Sequence, residues 1–128
     1  MPRLRVVALG GRLPPWAEQA CAEYAKRMPR GYEVERICAK SLPPKGSLVA
    51  LDEHGRDMTT KQFADLLKRE TTFVIGGPDG LDAAVKKQAA LLLRLSSLTL
   101  PHALAQVVLL EQIYRAATML TGHPYHRA

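Results

Sequence analysis

The last residues of this chain, HPYHRA, gather His123, Tyr125, His126 and Arg127 within five positions. Two imidazoles, a phenol and a guanidinium can stack on a base, pair with a phosphate or move a proton. Single-stranded RNA recognition draws on that mixture of stacking and charge. The plainer alternative is a frayed terminus. As a metal pair, the H-x-x-H spacing lacks a third ligand, so no metal site is expected. Upstream, LLEQIYRA sets Glu111 and Arg115 four residues apart, the spacing of an ordinary helix ion pair. His102 follows Pro101 at a helix entrance, where capping is its simplest role.

A second stretch, FVIGGPDG (73–80), stops three strand-like apolar residues at Gly76, Gly77 and Pro78. Side chains are absent either for a tight turn or for a ligand lying against bare backbone. The dinucleotide signature G-x-G-x-x-G is missing, because no third glycine follows Gly10 and Gly11 before the helix. The phosphate-loop signature G-x-x-x-x-G-K-[ST] occurs nowhere. Phosphate cradling therefore explains the pair poorly. A flat ligand read by backbone groups, such as an adenine ring, stays open.

The elements that position these residues fit one domain. The 128 residues can bury a real core but not two, and an apolar fraction of 47% excludes disorder. No apolar run approaches the roughly 18 residues of a membrane span. Arg3, Arg5, Arg12, Glu18 and Glu23 punctuate the N-terminal stretch too often for a secretory signal. Cys21 and Cys38 lack CxxC spacing or a neighbouring histidine, so two reduced, half-buried thiols in a cytoplasmic protein are expected. The net charge of +6 is uneven: residues 1–46 carry nine Lys/Arg against four Asp/Glu, the rest nine against eight. Such a surface suits a polyanion, most simply nucleic acid, although ordinary solubility charge would look the same.

RLRVVALGG reads as a first strand ending in a double glycine, and LPPWAEQACAEYAKRM as a helix entered through Pro14 and Pro15. Trp16, Ala20 and Tyr24 share one face of it. YEVERICA and SLVALDEHG are the next strands, joined by the turn-rich SLPPKG. Thr59 and Gln62 form a capping box ahead of QFADLLKRE. TTFVIGG is the fourth strand, and Asp82 caps a helix over AAVKKQAALLLRL. SSLTL is a short fifth strand or an extended loop. HALAQVVLLEQIYRAATML is the last helix, closed by Gly122. With Val107, Val108, Leu109 and Leu110 consecutive, it is apolar on several sides, as a subunit interface requires. Strand–helix alternation predicts an α/β domain with a mostly parallel sheet, whose ligands sit outside the carboxyl ends of the strands. LDEHG, IGGPDG and LSSLTLPH all fall at such ends.

Four blocks in order, IGGPDGL (75–81), LSSLTLPH (95–102), LLEQIYRA (109–116) and HPYHR (123–127), resemble the RlmH family. VALG and VALDEHG (49–55) fit the same pattern, so the likeness spans nearly the whole chain. These are SPOUT-class methyltransferases that modify N3 of a pseudouridine in bacterial 23S ribosomal RNA. The resemblance implies a homodimeric single domain over 1–128, with a trefoil knot over about 71–122 and a tail at 123–128. It implies S-adenosylmethionine as cofactor, held by Leu51, Gly76, Gly77, Leu95, Ser96, Ser97, Leu98, Thr99 and Leu100. Gly76→Val is then expected to abolish cofactor binding with little loss of fold. The implied partner is ribosomal RNA within the ribosome or large subunit, with neither membrane nor metal.

Methyl transfer to a ring nitrogen needs an aligned acceptor and a route for its proton. His126, Arg127 and Tyr125 are the catalytic candidates, with His102 and Glu111 behind them. His123, Tyr125, His126, Arg127 and Arg115 are the expected RNA contacts. Deleting Tyr125–Ala128 should leave stability nearly intact. Two rival readings share these residues: a catalytically silent RNA-binding protein, and a small-molecule enzyme using the same cleft. One departure stands out. Family members carry about two dozen more residues between the second and third strands, where parallel neighbours usually need a dozen or more. Here KSLPPKG spans the gap, reaching about 23 Å when extended.

Overall fold

The computed structural model describes residues 4–40 and 47–126, so the shortened connector at 41–46 lies outside the described residues. Strands β1 (Leu4–Ala8), β2 (Val34–Cys38), β3 (Leu48–Arg56), β4 (Thr71–Ile75) and β5 (Leu91–Leu93) alternate with helices α1 (Pro15–Lys26), α2 (Thr60–Leu66), α3 (Ala83–Gln88) and α4 (His102–Thr121). A 3₁₀ turn at Pro124–His126 follows α4. The strands form one parallel sheet in the order β2-β1-β4-β3-β5. The expected α/β architecture is therefore present.

Alternate residues of the central strands pack under the helices. Val6 of β1, Val49 of β3 and Phe73 of β4 share one core cluster with Cys21 of α1, Phe63 of α2, Leu67 just after it, and Leu109, Leu110 and Ile113 of α4. The Phe63 and Phe73 rings lie 5.5 Å apart. Val7, Ala50 and Val74, on the opposite face, are also fully buried. Burial on both faces is why these strands read as apolar runs rather than alternations. Each large side chain buried this way contributes about 1.5–3 kcal/mol. Among the described residues, no helix is long and apolar enough to cross a membrane.

Local signals behaved as their chemistry requires. Pro14 and Pro15 occupy the cap and first turn of α1. Thr59 and Gln62 exchange both bonds of the capping box, at 3.1 and 2.9 Å. Asp82 accepts from the Val85 amide at 3.0 Å. Three expectations need correction. Helix α3 stops at Gln88, and Leu91–Leu93 inside the expected helix forms β5 instead. The uninterrupted leucines gain more as a buried strand beside β3 than as the end of an amphipathic helix, so SSLTL is loop. On α1 the core-facing residues are Ala17 and Cys21, while Trp16 is 55% exposed. Finally, neither thiol is half-buried: Cys21 is buried and Cys38 exposed.

Candidate functional site

The carboxyl ends of β3, β4 and β5 open into a cleft of about 890 Å³. Leu51–His54, Ile75–Leu81, Lys86, Leu93–Ser96, Leu98–His102 and Ala105 line it. All three suggestive spots, LDEHG, IGGPDG and LSSLTLPH, thus contribute to one site. Strand β3 prepares the first wall. Leu51 pairs with Leu93, the chain then bulges outward, and Arg56 returns to the same partner. A Cβ at Gly55 would lie 2.7 Å from the Leu92 carbonyl carbon, so only glycine permits the return. The excursion places Asp52, Glu53 and His54 at the cleft, with Lys86 of α3 pairing to Asp52 at 3.4 Å.

The second wall is the turn after β4. Gly80 donates to the Gly77 carbonyl at 3.0 Å and adopts φ 75°, where glycine alone is unstrained. The protein's own backbone already supplies a steric reason for Gly76 and Gly77. A Cβ at Gly76 would sit 2.5 Å from the Gly80 carbonyl carbon, and one at Gly77 would sit 2.6 Å from the Cα of Gly10. Side chains are excluded by the protein's own backbone crossing at the sheet edge. The third wall, 94–101, is held by Arg94, whose guanidinium donates to both Asp57 carboxylate oxygens at 2.7 and 2.6 Å. Within it the Leu98 amide donates to Ser96 Oγ at 2.9 Å.

Of the expected cofactor residues, Leu51, Gly76, Gly77, Leu95, Ser96, Leu98, Thr99 and Leu100 line the cleft, whereas Ser97 is exposed outside its lining. Sequence reasoning missed Asp52, Glu53, Asp79 and Lys86 as individual members. The acids at the end of β3 were the available signal. His102 is no side-chain cap, since Pro101 holds that position without a cap bond; the imidazole lines the cleft. Apolar walls, a bare backbone turn and carboxylates at one side form a chemically mixed pocket of ligand size. It can take a flat ring between leucines and main chain, and a cationic group near the acids.

The tail lies elsewhere on α4. Tyr125 is half-buried, its hydroxyl donating to Glu111 Oε2 at 3.0 Å and lying 3.4 Å from the Tyr24 hydroxyl. Arg115 donates to the same Glu111 oxygen at 2.7 and 3.0 Å and sits 5.2 Å over the Tyr125 ring. Burial first, then the bonds to Tyr24 and Glu111, push the Tyr125 phenol well above its usual pKa. In this arrangement the phenol donates its hydrogen bond to the Glu111 carboxylate. The ion pair expected for Glu111 and Arg115 is present, but it is shared with the tail. Arg127 and the side chain of His126 lie outside the described residues. Among the described residues no group of three or more metal-binding side chains occurs.

A parallel sheet with a loop-built cleft at its carboxyl edge defines the class, and a family model described as "Predicted SPOUT methyltransferase" matches residues 30–126. Solved structures share the fold. A probable methylase family protein from Haemophilus influenzae Rd KW20 superposes with TM-score 0.69 at 11% identity, covering 99% of this chain and 71% of that one. The SpoU methyltransferase AviRb from Streptomyces viridochromogenes, in complex with the cofactor AdoMet, gives 0.59 at 16% identity, covering 94% and 58%. The chain belongs to the SPOUT methyltransferase family, and within it to the family of ribosomal RNA large subunit methyltransferase H. The relative of that name from Polynucleobacter asymbioticus is 46% identical over 98% of this chain and 99% of its own. That from Laribacter hongkongensis is 41% identical with the same coverage. The latter alignment runs over 155 positions, 27 more than this chain has residues. The Polynucleobacter alignment runs over 145 positions, 17 more, so both relatives carry residues that this chain lacks.

Proposed function

We propose that this protein methylates large-subunit ribosomal RNA with S-adenosylmethionine, at N3 of a pseudouridine, on assembled particles and as a homodimer. The observation that carries the reading is the single cleft built by the ends of β3, β4 and β5 in a chain related over its full length to methyltransferases of that name. The cofactor supplies a methyl group on a sulfonium when bound. Leu51, Leu95 and Leu100 would pack its flat ring, the 76–81 and 95–100 backbone would read its polar edges, and Asp52 or Asp79 would face its cationic part. His102, which lines the same cleft, would be one imidazole there to accept a proton. His126 and Arg127 would meet the RNA from the tail. The chain between about 71 and 122 would carry the class's trefoil knot.

The test is transfer of a labelled methyl group from the cofactor to intact large subunits, followed by mass spectrometry of the nucleosides. N3-methylpseudouridine is the expected product. Absence of cofactor binding by calorimetry, with RNA binding retained, would instead show a catalytically silent protein.

For the dimer, the outward side of α4 supplies the evidence. Leu104 is 37% exposed, Val108 is partly exposed on the same helix, and Trp16 of α1 is exposed at 55%. So many bare apolar side chains suit a covered face. Val108→Asp is expected to yield folded, inactive monomers, because an unpaired charge in the interface would be desolvated. Light scattering reports the outcome, and an unchanged dimer would move the interface elsewhere.

A further inference from the structure

The end of α4 is built to bring the chain back onto the helix. Gly122 adopts φ 78°, its amide donates to the Met119 carbonyl, and the His123 amide donates to the Thr118 carbonyl at 2.9 Å. These are the two bonds of a Schellman motif, which reverses chain direction. The Tyr125 amide then donates to His123 Nδ1 at 3.1 Å, setting the next turn. Tyr125 arrives edge-on to Tyr114, ring centroids 4.5 Å apart, with its hydroxyl on Glu111. Glu111 Oε1 accepts from Gln112 at 2.7 Å, which fixes the carboxylate from its other side. Arg115 gives Nε and Nη2 to Glu111 and its guanidinium to the tyrosine face, so it is tied to the anchor of the tail.

We propose that Glu111 and Arg115 are positioning residues for methyl transfer, holding the C-terminal tail on α4 through Tyr125. This role rests on the functional reading above, in which the tail meets the RNA. Terminal segments stay poorly ordered unless tied down. Ordering them at the moment of binding weakens every contact they make, and prior fixation removes that loss. Neither residue touches the cofactor cleft. Their effect should therefore appear in turnover on RNA and not in cofactor affinity.

The test compares Glu111→Ala, Glu111→Gln and a chain lacking His126–Ala128. With ribosomal subunits as substrate, Glu111→Ala should lower kcat about 30-fold while cofactor affinity stays within about two-fold. Glu111→Gln keeps an oxygen for the Tyr125 hydroxyl and should recover most of that loss. In the truncated background Glu111→Ala should cause no further fall, which generalised structural damage would not reproduce. Carbon-13 labelling of tyrosine Cζ supplies a second signature: Tyr125 should titrate above a free tyrosine's pKa of about 10 in the wild type and fall towards it if loss of Glu111 releases the ring from Tyr114 and Tyr24. Glu111→Ala with a freed Tyr125 and undiminished turnover would overturn the proposal. So would an equal loss in the truncated background. A wild-type protein that neither binds cofactor nor transfers a methyl group would fail the functional reading and take this role with it. An active wild type with an equally active Glu111→Ala would sink this role alone.

Discussion

Gly76→Val is expected to lower the melting temperature of the cofactor-free protein by roughly 5–10 °C and to weaken S-adenosylmethionine binding more than about 100-fold. The first effect distinguishes two reasons for the glycine. Were the missing side chain simply making room for a ligand, the unliganded fold would be untouched. The Cβ position, however, lies 2.5 Å from the Gly80 carbonyl carbon and 2.6 Å from its oxygen. Backbone cannot yield as a flexible side chain can, so the 77–81 turn must open. That turn is a wall of the cleft, and affinity falls with it. Gly10→Ala sharpens the case. Gly10 does not line the cleft, yet its Cβ would lie 2.2 Å from the Cα of Gly77. Loss of cofactor binding in that variant is expected from displacement alone. A Gly76→Val protein with wild-type melting temperature and no affinity would restore the ligand-space explanation.

The same residues show what a sequence discloses. Gly76 and Gly77 were visible as places where side chains had been removed, but the partner of Gly77 across the gap, Gly10, is 67 positions upstream and is brought beside it by the β1–β4 pairing that sets Ala8 opposite Ile75. Capping chemistry is local, so Thr59, Asp82 and Gly122 could be placed without a fold. Strand β5 is not local. Three leucines carry no periodicity, and only a neighbouring β3 edge makes a strand of them. The apolar face of α1 failed for a related reason: Trp16 is large and hydrophobic, yet the sheet is reached by the small Ala17 and Cys21. LDEHG, IGGPDG and LSSLTLPH disclosed the cleft, because each lies at a strand end and parallel strands point those ends one way.

Two truncations of the tail should give different results. Deleting Tyr125–Ala128 removes the Tyr125 ring from Tyr114 and the hydroxyl from Glu111. It also leaves Glu111 and Arg115 partly uncovered, with 19% and 24% side-chain exposure in the intact protein. A charge-assisted hydrogen bond contributes about 1.5–3 kcal/mol, less here because the site is not sealed from water. Melting is therefore expected to fall by roughly 5 °C, contrary to the stability expected of a frayed end. Deleting only His126–Ala128 spares the anchor and should leave melting unchanged. Both truncations should retain cofactor affinity, since among the described residues no cleft residue lies beyond Ala105. Both should lose methyl transfer to ribosomal particles, by about 100-fold or more, if the tail engages the target. Arg127→Ala should be weaker than either and partly rescued at low salt, where the remaining cations count for more. Full turnover after the shorter deletion would remove His126 and Arg127 from the chemistry. The burden would then pass to His102 or His54, the imidazoles already at the cleft.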